Sequence, residues 1–164
     1  MRLTFTAGDV DAALSIMREA ALWQLAQGTP LWQLENLTRE KITNPAEEFV
    51  VAWADGESAA CCLLSFEDKL FWPEVPAGTS GFVHKLAVRR AFAGTGVTTQ
   101  LMAHAEELCR ARGVSVLRLD TDLSRPKLCA LYERAGFRRV GVRTLHSQAM
   151  GVTLDCAMYE KELP

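Results

Sequence analysis

Residues 86–97 read Leu-Ala-Val-Arg-Arg-Ala-Phe-Ala-Gly-Thr-Gly-Val. The first three residues are typical of a strand end, the arginines of a short basic loop, and the glycines precede a helical pattern that reaches Arg112. Glycine lets a ligand approach the backbone closely, and the first N–H groups of a helix have no partner within the helix. Because the helix dipole also favours negative charge there, the stretch predicts a phosphate or diphosphate site. A plain turn before a helix explains these residues equally well when they are taken alone.

On either side of this stretch, the pattern predicts a strand–helix–strand unit. The first strand covers Gly81–Val88, with His84, Leu86 and Val88 on one face if the side chains alternate regularly. The helix ends at Gly113, a residue type common just after helices, and a second strand follows over residues 114–119. We expect these two strands to be parallel and joined by a right-handed crossover.

The remaining patterns predict a single α/β (α+β) domain over residues 1–164. Asp9 suits a helix N-cap, Gly28 ends that helix, and Asp55-Gly56 is a tight-turn signal between two strands. The predicted order is β-α-α-β-β-β-α-β-α-β-β, a mixed central sheet flanked by helices. The other predicted elements are a strand over 2–6, a helix over 30–41, strands over 48–54 and 58–66, an irregular segment over 67–79, a helix from Pro126 to Gly136, and strands over 138–143 and 152–161.

Composition excludes several classes of protein. The net charge is −2 and no block of like charge occurs, which argues against a nucleic-acid partner. The apolar runs are too short to cross a membrane, and residues 1–9 lack the apolar core of a signal peptide, so we expect a cytoplasmic protein with no membrane partner. Five cysteines without a CxxC pair are expected to be reduced and mostly buried, and scattered histidines predict no metal site.

Two segments resemble the motifs of a known family. Leu-Ala-Val followed by Gly-Thr-Gly-Val is similar to motif A of the GNAT N-acetyltransferase superfamily, and Leu128-x-x-Leu131-Tyr132-Glu133-Arg134-x-Gly136-Phe137 is similar to its motif B. The resemblance implies an enzyme that moves an acetyl group from acetyl-CoA to a primary amine of a small molecule or peptide, by direct transfer in a ternary complex. The sequence departs from motif A at Ala93, where the family has Arg or Gln, and at Thr98, where it has Gly or Ala.

The same resemblance implies where coenzyme A binds. The main chain of Leu86, Ala87 and Val88 would run beside the pantetheine, with the Val88 N–H pointing at the thioester carbonyl. Arg89 and Arg90 are candidates to supply the charge that Ala93 lacks, and Arg125 is a candidate to pair with a CoA phosphate. The residues implied to surround the pyrophosphate are Gly94, Thr95, Gly96, Val97, Thr98 and Thr99.

Two residues are predicted to move protons. His84 is the candidate base, because an ordinary imidazole titrates near neutral pH and relatives often place Glu or His here. Tyr132 is the candidate acid, since it aligns with the motif B tyrosine and a phenol is protonated at neutral pH. A half-buried structural histidine and an aromatic ring packed on the sheet are the respective alternatives. Asp120 and Asp122 could contact the acceptor, although a turn cap is the simpler interpretation.

The sequence leaves other functions open. The chain could be a sensor that binds acyl-CoA without turnover, or a partner-binding protein whose contact surface is an exposed loop around Phe71 and Trp72. These residues do not decide which acceptor is used or whether a different acyl chain is transferred. They also do not decide whether the protein forms a homodimer through the C-terminal strands.

Overall fold

The computed structural model describes residues 1–147 and 151–164, whose strands form a seven-stranded mixed sheet. The helices and strands follow the predicted order, so the α/β class is confirmed. They are β1 Leu3–Ala7, α1 Val10–Ala26, α2 Arg39–Ile42, β2 Glu47–Ala54, β3 Glu57–Ser65, β4 Gly81–Val88, α3 Val97–Ala111, β5 Val116–Asp122, α4 Pro126–Arg134, β6 Arg138–Ser147 and β7 Val152–Glu162, with 3₁₀ turns at Leu34–Asn36 and Arg90–Phe92.

The chain forms two compact units. The first contains residues 1–64 and 85–105, and the second contains residues 65–84 and 106–164, so that β4 contributes to both. In the first unit the strands follow the order β1-β2-β3-β4, and in the second the order is β4-β5-β7-β6. The pairing of β4 with β5 is parallel, as predicted, and runs from Gly81–Leu117 to Val83–Leu119. The pairings of β5 with β7 and of β7 with β6 are antiparallel.

The core of the first unit lies between α1 and the sheet. Asp9 caps α1 as predicted, because its side-chain Oδ1 accepts a hydrogen bond from the Ala12 N–H at 3.0 Å. The predicted hairpin is also confirmed, with Asp55 and Gly56 both in the left-handed region at φ 50° and 89°, as its tight turn requires. The core residues are Ala13, Ile16, Met17, Ala21, Leu37, Ile42, Phe49, Val51, Cys61, Leu63 and Ala87.

Replacing the cap of α1 gives a direct test of this packing. We expect Asp9→Ala to lower the free energy of unfolding by about 1 kcal/mol, because one N–H at the helix start loses its acceptor. Urea denaturation followed by circular dichroism measures the loss. Glu67→Ala is the control, since Glu67 makes an exposed ion pair with Lys69 outside any helix, and such pairs contribute about 0–1 kcal/mol. An equal loss in both variants would contradict the cap's role.

The helix predicted over residues 30–41 is wrong. The chain there makes a 3₁₀ turn and then the four-residue α2, with Leu37 and Thr38 outside both. The Leu37 carbonyl accepts a hydrogen bond from the Arg18 guanidinium of α1 at 2.9 Å, and the Leu37 side chain is buried in the first core. Tertiary contacts therefore replace the helical hydrogen bonds, and Thr38 caps a new helix through the Lys41 N–H.

The irregular segment over residues 67–79 packs into the second unit. Trp72 is 3% exposed and packs with Phe82, Cys156 and Met158, while Phe71 is half-buried beside them. Arg143 holds this segment by donating to the Phe71 carbonyl at 2.9 Å and pairing with Glu74. The predicted exposed contact surface at Phe71 and Trp72 is therefore wrong, because these rings are used for packing.

The cysteines lie inside the fold, as predicted. Cys61, Cys62, Cys109, Cys129 and Cys156 are all free and buried. Within residues 1–147 and 151–164, none of the helices combines the length and the apolar character needed to cross a membrane.

Candidate active site

The glycine loop of the first unit has the predicted open backbone. Gly94 and Gly96 lie in the left-handed region at φ 78° and 86°, and a Cβ added at either would meet no atom within 4 Å. Thr95 stiffens the loop, because its hydroxyl donates to the Phe92 carbonyl at 2.7 Å. Helix α3 begins immediately afterwards at Val97. The loop thus has open backbone directly before a helix start, where the first N–H groups lack partners within the helix, and this combination suits a diphosphate.

The strand that leads to this loop is not regular. Lys85 has φ 51° in the middle of β4, a conformation uncommon for residues other than glycine. Regular alternation therefore does not continue through β4, and it cannot place His84 on the same face as Leu86 and Val88. Beyond Lys85, Ala87 is buried in the first core, and Leu86 and Val88 are half-buried.

Arg89 does not supply free charge to the loop. Its guanidinium pairs with Glu19 of α1, donates to the Ser58 carbonyl at 2.7 Å and donates to the Ser15 hydroxyl at 2.8 Å. The suggestion that Arg89 compensates for Ala93 is therefore wrong, because its donors are already bound to protein acceptors. Arg90 lies over the Trp23 ring, 3.9 Å from its centroid, and its exposed position leaves it as the cation nearest in sequence to the glycines.

His84, in the second unit, lies between two carboxylates. Its Nε2 is 3.0 Å from Asp68 Oδ2, and its Nδ1 is 3.8 Å from Asp120 Oδ1. The imidazole side chain is 18% exposed, and the Phe71 ring lies 6.1 Å away between centroids. A largely buried imidazole between two acids is an arrangement suited to accepting and holding a proton.

Asp68 is the functional candidate that sequence reasoning missed. Its Oδ1 accepts hydrogen bonds from the N–H groups of Leu70 at 3.1 Å and Phe71 at 2.8 Å. Burial alone would raise the pKa of Asp68, but its hydrogen bond to His84, the charge of His84 and the two N–H groups outweigh burial and lower that pKa. Asp68 is therefore an ionised partner for the imidazole. An Asp whose carboxylate can accept the N–H groups two or three residues on is a recognisable turn signal, but nothing in the sequence links it to His84.

The two acidic residues of β5 have different roles. Asp120 faces the imidazole, whereas Asp122 accepts hydrogen bonds from the Ser124 N–H at 2.9 Å and the Ser124 hydroxyl at 2.7 Å. The turn-cap interpretation is therefore confirmed for Asp122. Arg125 is the N-cap residue of α4, and its Nε lies 3.6 Å from Asp122 Oδ2.

Tyr132 lies on α4 and is buried among aromatic rings. Its ring meets Phe137 edge-on at 6.1 Å and lies 6.2 Å from the Tyr159 ring. The Tyr159 hydroxyl donates to Glu133 at 2.9 Å, and burial, followed by its contacts with Cys129 and Glu133, raises the pKa of that phenol. The packing explains why an aromatic residue is needed here, and the role of Tyr132 as acid stays a prediction.

Comparison with known proteins gives a consistent result. Residues 16–137 match the model of the acetyltransferase (GNAT) family. A protein of Bacillus subtilis (strain 168) named as the uncharacterized N-acetyltransferase YesJ is 27% identical over 141 residues, which cover 81% of this chain and 78% of that protein. A protein of Escherichia coli described by its location in the 3′ region of sul1 is 38% identical over 64 residues, 37% of this chain and 81% of that protein. The crystal structure of an N-acetyltransferase from Staphylococcus aureus Mu50 is similar in fold, with a TM-score of 0.73, 18% identity and full coverage of both chains. Since the family model covers well over half of the sequence, the chain belongs to the acetyltransferase (GNAT) family.

Proposed function

We propose that residues 1–164 act as one N-acetyltransferase domain, which transfers the acetyl group of acetyl-CoA to a primary amine in the cytoplasm. The observation that carries the proposal is the open glycine loop at Gly94 and Gly96, directly before α3, in a chain of this family. The family model spans residues of both units, which supports a single functional domain. The free, buried cysteines suit a reducing compartment.

The first unit offers the groups that a coenzyme A diphosphate needs. Residues 94–99 would surround the phosphate oxygens, with N–H donors from Gly94 and from residues 96–99, and the Thr98 and Thr99 hydroxyls add further donors there. The Thr95 N–H donates to the Phe92 carbonyl at 3.2 Å. The open space in front of both glycines supports this fit, since any side chain at those positions would occupy it. Leu86, Ala87 and Val88 would hold the pantetheine along the strand, with the Val88 N–H donating to the thioester carbonyl. Arg125, which belongs to the second unit, is proposed separately as a phosphate contact, in exchange for its ion pair with Asp122.

The second unit offers the groups that move protons. His84 is proposed to take a proton from the acceptor's ammonium, because only the neutral amine can attack a thioester. Tyr132 is proposed to give a proton to the departing thiolate. A placed base or acid contributes roughly 10²- to 10⁴-fold in rate, and one N–H donor at the developing oxyanion contributes about 3 kcal/mol. Alignment of the two substrates supplies much of the remaining acceleration.

The decisive experiment is incubation of the purified protein with acetyl-CoA and a broad panel of primary amines, with release of free CoA thiol as the readout. We expect release with some members of the panel and a measurable heat of acetyl-CoA binding by calorimetry. Tight binding without turnover on any amine would instead identify an acyl-CoA sensor. Absence of both binding and turnover would overturn the proposal.

The protein's own cysteines should not disturb this assay. Burial, with a contribution from Glu106, raises the pKa of Cys109 to about 11, and burial and the nearby aspartates raise the pKa of Cys156 to about 12. The reactive thiolate is therefore scarce at neutral pH. We expect native protein to react with a disulfide reagent much more slowly than protein in guanidinium, where all five thiols titrate. Rapid reaction of the native protein would contradict the buried positions of these side chains.

A further inference from the structure

The two carboxylates beside His84 approach different nitrogens of its ring. Asp68 Oδ2 is 3.0 Å from Nε2, which is hydrogen-bond distance, whereas Asp120 Oδ1 is 3.8 Å from Nδ1. A neutral imidazole carries one proton and one lone pair on its two nitrogens. Because an ionised carboxylate can only accept a hydrogen bond, the closer acid decides which nitrogen keeps the proton.

Asp68 is held in a fixed orientation, so it can determine which ring nitrogen of His84 keeps the proton. Its Oδ1 accepts from the N–H groups of Leu70 and Phe71, so rotation of the carboxylate would break two hydrogen bonds. Its side chain is 6% exposed, and the lowered pKa of Asp68 favours the ionised form, which accepts hydrogen bonds. The segment that carries it is fixed in turn, because Arg143 binds the Phe71 carbonyl.

We propose that Asp68 is a positioning residue, which keeps the His84 proton on Nε2 so that Nδ1, beside Asp120, takes the proton of the acceptor's ammonium. The catalytic part of this inference rests on the proposed function, whereas the position of the ring proton does not. In the reaction, the ammonium gives one proton to Nδ1, and the neutral amine forms the new N–C bond as the C–S bond breaks. Tyr132 gives its proton to the sulfur and takes up the second amine proton, and the imidazolium later returns its proton to water.

Asp120 then has a separate role from Asp68. A carboxylate 3.8 Å from Nδ1 favours a cation between or beside the two groups. It thus attracts the acceptor in its ammonium form and stabilises the imidazolium that follows proton transfer. The row of Asp68, His84 and Asp120 accordingly predicts an acceptor that arrives as a cation.

The same three side chains can be considered as a metal site, since one ligand atom of each lies within 4.8 Å of the others. The pairing of the atoms argues against it. A metal ion binds one imidazole nitrogen through its lone pair and needs the carboxylates on that same side. Here the two acids face two different nitrogens, which suits proton transfer along the row rather than convergence on one ion.

The test is nitrogen NMR of the His84 ring in the ligand-free protein, recorded above the pH at which the ring titrates in the same spectra. We expect the unmodified protein to carry its ring proton on Nε2. In Asp68→Asn the amide oxygen can still accept from Leu70 and Phe71, but its NH₂ group now donates to Nε2. We therefore expect the proton to move to Nδ1, and turnover to fall by roughly 10²- to 10⁴-fold with the KM for acetyl-CoA unchanged within about twofold.

Asp155→Asn is the matched control, because Asp155 accepts from the Thr144 hydroxyl, and an amide oxygen can replace it there. This control should keep both the ring tautomer and the turnover. A proton on Nδ1 in the unmodified protein, or an unchanged tautomer in folded Asp68→Asn, would overturn the proposal. So would stoichiometric binding of Zn²⁺ seen at the His84 ring signals. If Asp68→Asn does not fold, the spectrum of the unmodified protein still decides the tautomer. The NMR result is independent of turnover, so a correct tautomer without any acetylated amine would count against the proposed function alone.

Discussion

Gly96→Val is expected to weaken the binding of acetyl-CoA about 10-fold or more. Gly96 has φ 86°, and the space in front of it is open, so the added side chain meets no clash. The left-handed backbone, however, costs a residue with a Cβ about 1–2 kcal/mol, and more for a β-branched residue. We expect the loop to relax away from that conformation in the free protein. Binding of acetyl-CoA must then restore it, and this free energy is subtracted from the binding free energy, of which about 1.4 kcal/mol corresponds to a factor of ten in affinity. Calorimetry with acetyl-CoA measures the change.

Gly28→Val is the matched control for this variant. Gly28 follows α1, has φ 73°, and likewise has no atom within 4 Å of an added Cβ. Both variants should therefore lose a similar free energy of unfolding in urea, while only Gly96→Val loses affinity. Unchanged affinity in Gly96→Val, or an equal loss of affinity in both, would show that the loop does not hold the diphosphate.

His84→Gln is expected to lower kcat by roughly 10²- to 10⁴-fold, the usual contribution of a placed base. Glutamine retains a polar group of similar length that can still hydrogen-bond to Asp68, but its amide cannot take up a proton. The KM for acetyl-CoA should stay within about twofold, since the proposed contacts to the coenzyme lie on other residues. Steady-state kinetics with an acceptor from the amine panel measures both constants.

His104→Gln separates this effect from the loss of any half-buried histidine. His104 stacks on the Phe5 ring, with centroids 4.4 Å apart, so its replacement should lower stability and leave kcat close to that of the unmodified protein. If His84→Gln instead reduced stability while its folded fraction kept full kcat, His84 would be a structural residue. That result would contradict the proposed role of His84 and would leave the proposal that the protein binds acetyl-CoA standing.

The local parts of the fold could be predicted because their signals are short-range. Asp9 accepts from the N–H of Ala12, only three residues later, and Asp55-Gly56 defines its hairpin without help from the rest of the chain. The helix expected over residues 30–41 does not form, because the Leu37 carbonyl accepts a hydrogen bond from Arg18, nineteen residues earlier in the sequence. Local propensity carries no information about such a partner.

The candidate site, too, could be predicted only where its signals are local in the sequence. The glycine loop is contiguous, so its open backbone could be predicted from residues 94–97 and is found in the structure. Asp68 lies in an irregular segment, and its relation to His84 exists only after folding. The role expected for Arg89 was wrong for the same reason, since its guanidinium is hydrogen-bonded to Glu19, which lies 70 residues before it. Charge in a motif therefore indicates a ligand only when no distant side chain has already bound it.

The binding of Arg89 has a consequence for protein engineering. Its contacts tie the residue after Val88 to α1 through Glu19 and to β3 through Ser58. Anyone who transplants residues 86–99 into another scaffold must bring a counterpart of Glu19 and of Ser58 as well. Without them the graft would carry an unsatisfied guanidinium next to the glycine loop, and that extra positive charge would distort any measurement of what the glycines alone can bind.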